Sequence, residues 1–134
     1  MILSLQKGII GGDSLNIIKM PQKKSCSICC LAMLADLSFE QVMEIIFGKT
    51  KPKRLSMSFV EMDKALNMLG LKTNILKAFP KQPIFNMLCQ CRSRSQGFWH
   101  YIVYDKQNNI FLDPLPFPWP MDDYKISKCI EIVS

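Results

Sequence analysis

An α+β domain, with helices first and an antiparallel sheet second, is what the sequence predicts, and three observations predict it. Apolar residues recur at helical spacing up to Gly70 and alternate in a strand-like way after it. Capping boxes at Ser38 and Ser58 open two helical patterns in the first half of the chain. Proline, glycine and asparagine clusters cut the second half into short extended runs. A chain of 134 residues is long enough for one proper core and short for two, so residues 1–134 are read as a single domain.

The first twenty residues alternate weakly around Gly8, Gly11 and Gly12, which predicts one or two short edge segments about a glycine turn. Pro21 ends them, and a polar loop from Gln22 to Ser25 delivers the chain to Cys26. The apolar run from Ile28 to Leu34 predicts a buried helix over about 26–35. A second helix starts at the Ser38-Phe39-Glu40-Gln41 box, carries Phe39, Val42, Met43, Ile46 and Phe47 at helical spacing, and stops at Gly48. The third starts at Ser58-Phe59-Val60-Glu61, turns Phe59, Met62, Leu66 and Leu69 inward, and closes with Gly70 as its C-cap. Strands are then expected at 71–78, 84–92, 98–105, 109–113 and 126–133. The third and fourth form a hairpin across 105–109, and a rigid proline-rich loop runs from Pro114 to Pro120.

Composition narrows the function classes. Hydrophobic residues at 49% and charged residues at 21% exclude a largely disordered chain. The net charge of +6 is spread out, and the basic clusters 49–54 and 92–94 lack interleaved aromatics, so no nucleic-acid partner is expected, while an acidic protein partner stays open. The longest apolar runs fall short of a membrane span and the N-terminus lacks the plan of a signal peptide. A cytoplasmic protein without a membrane partner is therefore expected. Its six cysteines then read as reduced thiols. Cys26-x-x-Cys29 with Cys89-Gln90-Cys91 raises the thought of zinc, but the first pair runs into an apolar helix and the second is too closely spaced, so neither metal nor cofactor is expected.

The chemistry centres on a cysteine where a polar loop enters a helix. First-turn N–H groups and the helix dipole favour the thiolate, the form that acts as a nucleophile. Cys26 holds that place, whereas Cys29 and Cys30 fall in the helix interior and read as core. His100 is the chain's one histidine, so a Cys–His pair must use it as the base. Asp113 would hold the histidine tautomer, and Asp105, at the hairpin turn, would cap the loop instead. Counted from a turn centre near Gln107, His100 lies seven residues before and Asp113 six after, nearly opposite across the hairpin. Trp99 and Phe98, beside His100, could shield the imidazole or line a substrate groove.

The segment 25–35, followed by Ser38-Phe39-Glu40-Gln41-Val42, resembles the nucleophile helix and second helix of papain-fold cysteine peptidases of the bacteriocin-processing, double-glycine branch. His100-Tyr101-Ile102-Val103-Tyr104 and Phe111-Leu112-Asp113-Pro114 are similar to that branch's histidine strand and aspartate–proline hairpin, so the likeness spans roughly residues 22–114. It implies a papain-like fold and a Cys26–His100–Asp113 triad. Gln22, four residues before Cys26, is the candidate for the family's oxyanion-hole glutamine, and Ser27 stands where the family has the glycine approached by substrate. The implied activity is hydrolysis of a peptide or isopeptide bond in a protein or peptide substrate. A glutamine deamidase using the same three residues, as in a phage or bacterial effector acting in a host cell, and a binding protein that keeps the fold without catalysis both remain open.

Overall fold

The computed structural model describes residues 15–21, 24–50 and 52–134, together with the backbone of Ser4–Gln6. Three helices and a mixed sheet form an α+β domain. The helices are α1 (Cys26–Ala35), α2 (Phe39–Phe47) and α3 (Phe59–Met68). The strands are β1 (Ser4–Gln6), β2 (Thr73–Leu76), β3 (Met87–Ser93), β4 (Trp99–Asp105), β5 (Ile110–Leu112) and β6 (Tyr124–Ile132). Their order across the sheet is β1-β5-β4-β3-β6-β2. All neighbours are antiparallel except β1, which runs parallel to β5 at the edge, with Leu5 opposite Phe111.

α1 is buried on all sides, from Ser27 to Leu34, because an apolar run without a polar face is stable only inside a core. It packs on the sheet face formed by Leu88, Tyr101, Val103, Leu112 and Ile130, with α2 and α3 completing that layer. Both predicted capping boxes are present, with Ser38 accepting from the Gln41 N–H and Ser58 from the Glu61 N–H. α3 ends differently from expectation. Leu69 is its cap residue, and Gly70 follows in the left-handed region at φ 89°. No single helix among the described residues is long and apolar enough to cross a membrane.

The opposite sheet face carries a second cluster, Met87, Cys89, Cys91, Ile102, Tyr104, Phe111, Tyr124 and Cys129, covered by Phe79 and Trp119. β6 begins at Tyr124, two residues ahead of the expected start at Ile126, because Tyr124 pairs with Ser93. β3 starts later than predicted, at Met87. Ile84 is exposed, and Asn86 accepts the Lys106 N–H at its side chain and the Ile132 N–H at its carbonyl. β2 is also shorter than 71–78. Asp105 caps the β4–β5 turn as anticipated, accepting from the Gln107 N–H and the Asn108 side chain. The glycine turn expected near residues 8–12 and the Gln22–Lys23 loop lie outside the described residues.

Candidate active site

Cys26 is the first residue of α1, where intrahelical bonding begins only with the Cys29 N–H reaching the Ser25 carbonyl. Ser25, the N-cap residue, makes no side-chain cap, unlike its counterparts on α2 and α3. The first-turn N–H groups therefore point toward the space in front of the thiol without a capping acceptor from Ser25. The other end of the helix is closed by Asp36, a left-handed residue at φ 57°, whose N–H reaches the Ala32 carbonyl.

β4 brings His100 to the Cys26 end of the helix. Its side chain borders the same two clefts as Cys26, and its Nε2 lies 2.7 Å from Asp113 Oδ1, which leaves Nδ1 as the nitrogen that can meet the thiol. The β4–β5 register sets Tyr104 opposite Phe111. Continued past the strand end, it places Asp113 opposite Ile102, so His100 and Asp113 meet on a diagonal of one sheet face, the form that the near-opposition counted from the turn takes. Asp113 is fully buried. Its Oδ1 also accepts the Leu115 N–H at 2.8 Å, and its Oδ2 accepts the Tyr124 hydroxyl. Lys19 Nζ donates to the carbonyls of Asp113 and Leu115, and the Met20 N–H donates to Pro114, so the segment leading to Cys26 is tied to the loop bearing Asp113.

Electrostatics follow from this packing. Burial pushes the Cys26 thiol up, but the hydrogen bond and charge of His100, with help from the Tyr101 backbone, outweigh it and hold the pKa below the ordinary value of 9.0. Burial likewise disfavours the imidazolium, yet the bonds and charges of Asp113 and Cys26 raise His100 to about 9. Cys29 is pushed up to about 12 by burial, and Cys30, Cys89 and Cys91 are also raised by burial. The one lowered thiol, Cys26, thus stands among neighbours whose thiols burial pushes up.

Trp119 shields the imidazole, its ring centroid 5.3 Å from that of His100. The adjacent aromatics Phe98 and Trp99 leave that role to it. Trp99 is 59% exposed and lines clefts on both sides of the Cys26–His100 pair. One cleft, of about 200 Å³, is walled by Ser56, Met57, Ser58, Gln90 and Tyr101. The other, of about 470 Å³, runs past Met20, Lys24, Phe98, Leu115 and Trp119. Ser27 borders the first cleft, but its side chain is 1% exposed and its hydroxyl accepts the Met57 N–H at 3.2 Å. The Tyr101 hydroxyl donates to the Met57 carbonyl, so Met57 is clamped as a cleft wall from both sides.

The fold thus brings Cys26, His100 and Asp113 together, whereas Gln22 lies outside the described residues. Sequence reasoning missed Tyr124, Trp119 and Lys19. A tryptophan set between prolines just after Asp113 was a usable signal for Trp119, but nothing local marked the other two. The chain matches no protein-family model and no curated protein. Among the described residues no group of three or more His, Cys, Asp and Glu side chains is placed to hold a metal ion.

Proposed function

We propose that this protein is a cysteine hydrolase of papain-like architecture that cleaves a peptide or isopeptide bond through Cys26, His100 and Asp113. The observation that carries the reading is the meeting of Cys26, at the first residue of α1, with His100 on the walls of two shared clefts, while His100 Nε2 lies 2.7 Å from the buried Asp113 carboxylate. His100 holds the thiol proton and Cys26 attacks the carbonyl carbon as the thiolate. Negative charge then develops on the carbonyl oxygen, where the Cys26 N–H and the helix dipole stabilise it. As the C–N bond breaks, the imidazolium gives its proton to the departing amine and the acyl group stays on sulfur. Neutral His100 next takes a proton from water, whose oxygen displaces the thiolate and releases the acid. Asp113 keeps the ring oriented throughout, and Trp119 keeps bulk water off one ring face.

Iodoacetamide labelling tests the core of this proposal. Cys26 is expected to react well ahead of the other five thiols at neutral pH, and His100→Ala is expected to remove that lead. Equal labelling of all six would reject it. Intact-mass measurement of candidate target proteins then separates chain cleavage from the small mass gain of a glutamine deamidase.

A further inference from the structure

Directly opposite residues on neighbouring antiparallel strands share a sheet face. Trp99 on β4 is opposite Arg92 on β3, which is opposite Lys125 on β6, so the three make one exposed row leading away from the Cys26 cleft. Beyond Trp99 the row opens into a hollow of about 480 Å³, lined by Arg92, Arg94, Lys125 and the 93–97 turn. Its chief cation is held in place. The Arg92 guanidinium lies 5.7 Å from the Trp99 ring centroid, and a Cβ on Gly97 would come within 3.2 Å of its Nη2. Gly97 has φ 75°, so both the turn and the seat of the guanidinium depend on glycine there.

The nearby acid, Asp123, feels the charge of Arg94 but is hydrogen-bonded to neutral donors. Asp123 directs its carboxylate to the Ser93 hydroxyl and to the N–H and hydroxyl of Ser95. Among the described residues no carboxylate lies within 4.0 Å of Arg92, Arg94 or Lys125. A preorganised guanidinium with a second cation across the strand suits a carboxylate, which it can meet with two parallel N–H donors.

We propose that this hollow is a substrate subsite that takes an acidic side chain of the polypeptide being cleaved. The inference rests on the hydrolase reading for the cleft it adjoins. Neighbouring strands are about 4.8 Å apart and an extended chain advances about 3.4 Å per residue, which sets the acidic residue roughly two to four positions from the attacked carbonyl. Specificity for acidic substrates is then a property of the three-strand row, while Cys26 and His100 supply the reaction.

A randomised decapeptide library retained on the full-length protein tests the assignment. Peptides kept by the wild type should be enriched in Asp or Glu at one position, should lose about tenfold in affinity to Arg92→Glu/Lys125→Glu, and should slow iodoacetamide labelling of Cys26. Arg92→Gln/Lys125→Gln should weaken the same peptides less, and serves if charge reversal disturbs folding. Three outcomes overturn the subsite: no acidic enrichment, enrichment that survives both double variants, or acidic peptides that bind without protecting Cys26. Preferential retention of a randomised oligonucleotide would overturn it too. Loss of the Cys26 labelling lead in the wild type fails the hydrolase reading instead, since library enrichment is read without it.

Discussion

Asp113 accepts from three donors at once: the His100 ring, the Leu115 N–H and the Tyr124 hydroxyl. An asparagine there would turn an N–H₂ toward one of those donors and reverse the His100 tautomer. Asp113→Asn is therefore expected to lower the rate of acyl transfer by on the order of 10⁴-fold, measured as kcat on an identified substrate, while the circular dichroism spectrum persists. The proposed thiolate–imidazolium pair also fixes the sign of the pH dependence. The reactive form needs Cys26 deprotonated and His100 protonated. Activity should rise with pH through the lowered pKa of Cys26, at less than 9.0, and fall again through the raised pKa of His100 near 9. A kcat/KM profile without an alkaline limb would contradict this assignment.

At the scale of elements, the three helix starts divide the labour. α2 and α3 satisfy their first turns with reciprocal serine boxes, whereas α1 has no side-chain cap from Ser25 and presents its first turn at the thiol. Ser27, one residue into α1, turns its hydroxyl to the backbone of Met57 and so ties the segment before α3 to the helix that carries Cys26. Ser38→Ala is expected to cost about 1 kcal/mol in urea unfolding and to leave Cys26 reactivity unchanged. Ser27→Ala should cost a similar amount, through the unpaired Met57 N–H, and should also loosen the cleft wall. Slower alkylation of Cys26 by a peptide-sized electrophile, with the iodoacetamide rate held constant, would register that second effect.

Across the whole molecule, α1 is the spine between the helical layer and the sheet. Leu31 sits at its middle, fully buried in the cluster that joins all three helices to β3, β4, β5 and β6. Leu31→Ala should destabilise the domain by about 2–5 kcal/mol. Because one continuous core carries both the thiol helix and the histidine strand, secondary-structure loss and tryptophan fluorescence should change in a single coincident transition. Separate transitions for the helical layer and the sheet would argue against one cooperative unit.

The sequence by itself determined the class of fold, the three helices with the start of each, and Cys26, His100 and Asp113 as the residues the proposed reaction would use, because helix starts and a cysteine at a helix N-terminus are written in local chemistry. It was looser on the sheet, placing β6 two residues late, because a strand's start depends on its partner, and here Ser93 recruits Tyr124. Only the tertiary structure decided that Tyr124 and Trp119 hold the Asp113–His100 pair and that Lys19 fastens the entry segment to it. It also decided that Trp99, Arg92 and Lys125 align. Those contacts join residues distant in sequence through strand pairing and register, and no local pattern encodes which strand will lie beside which.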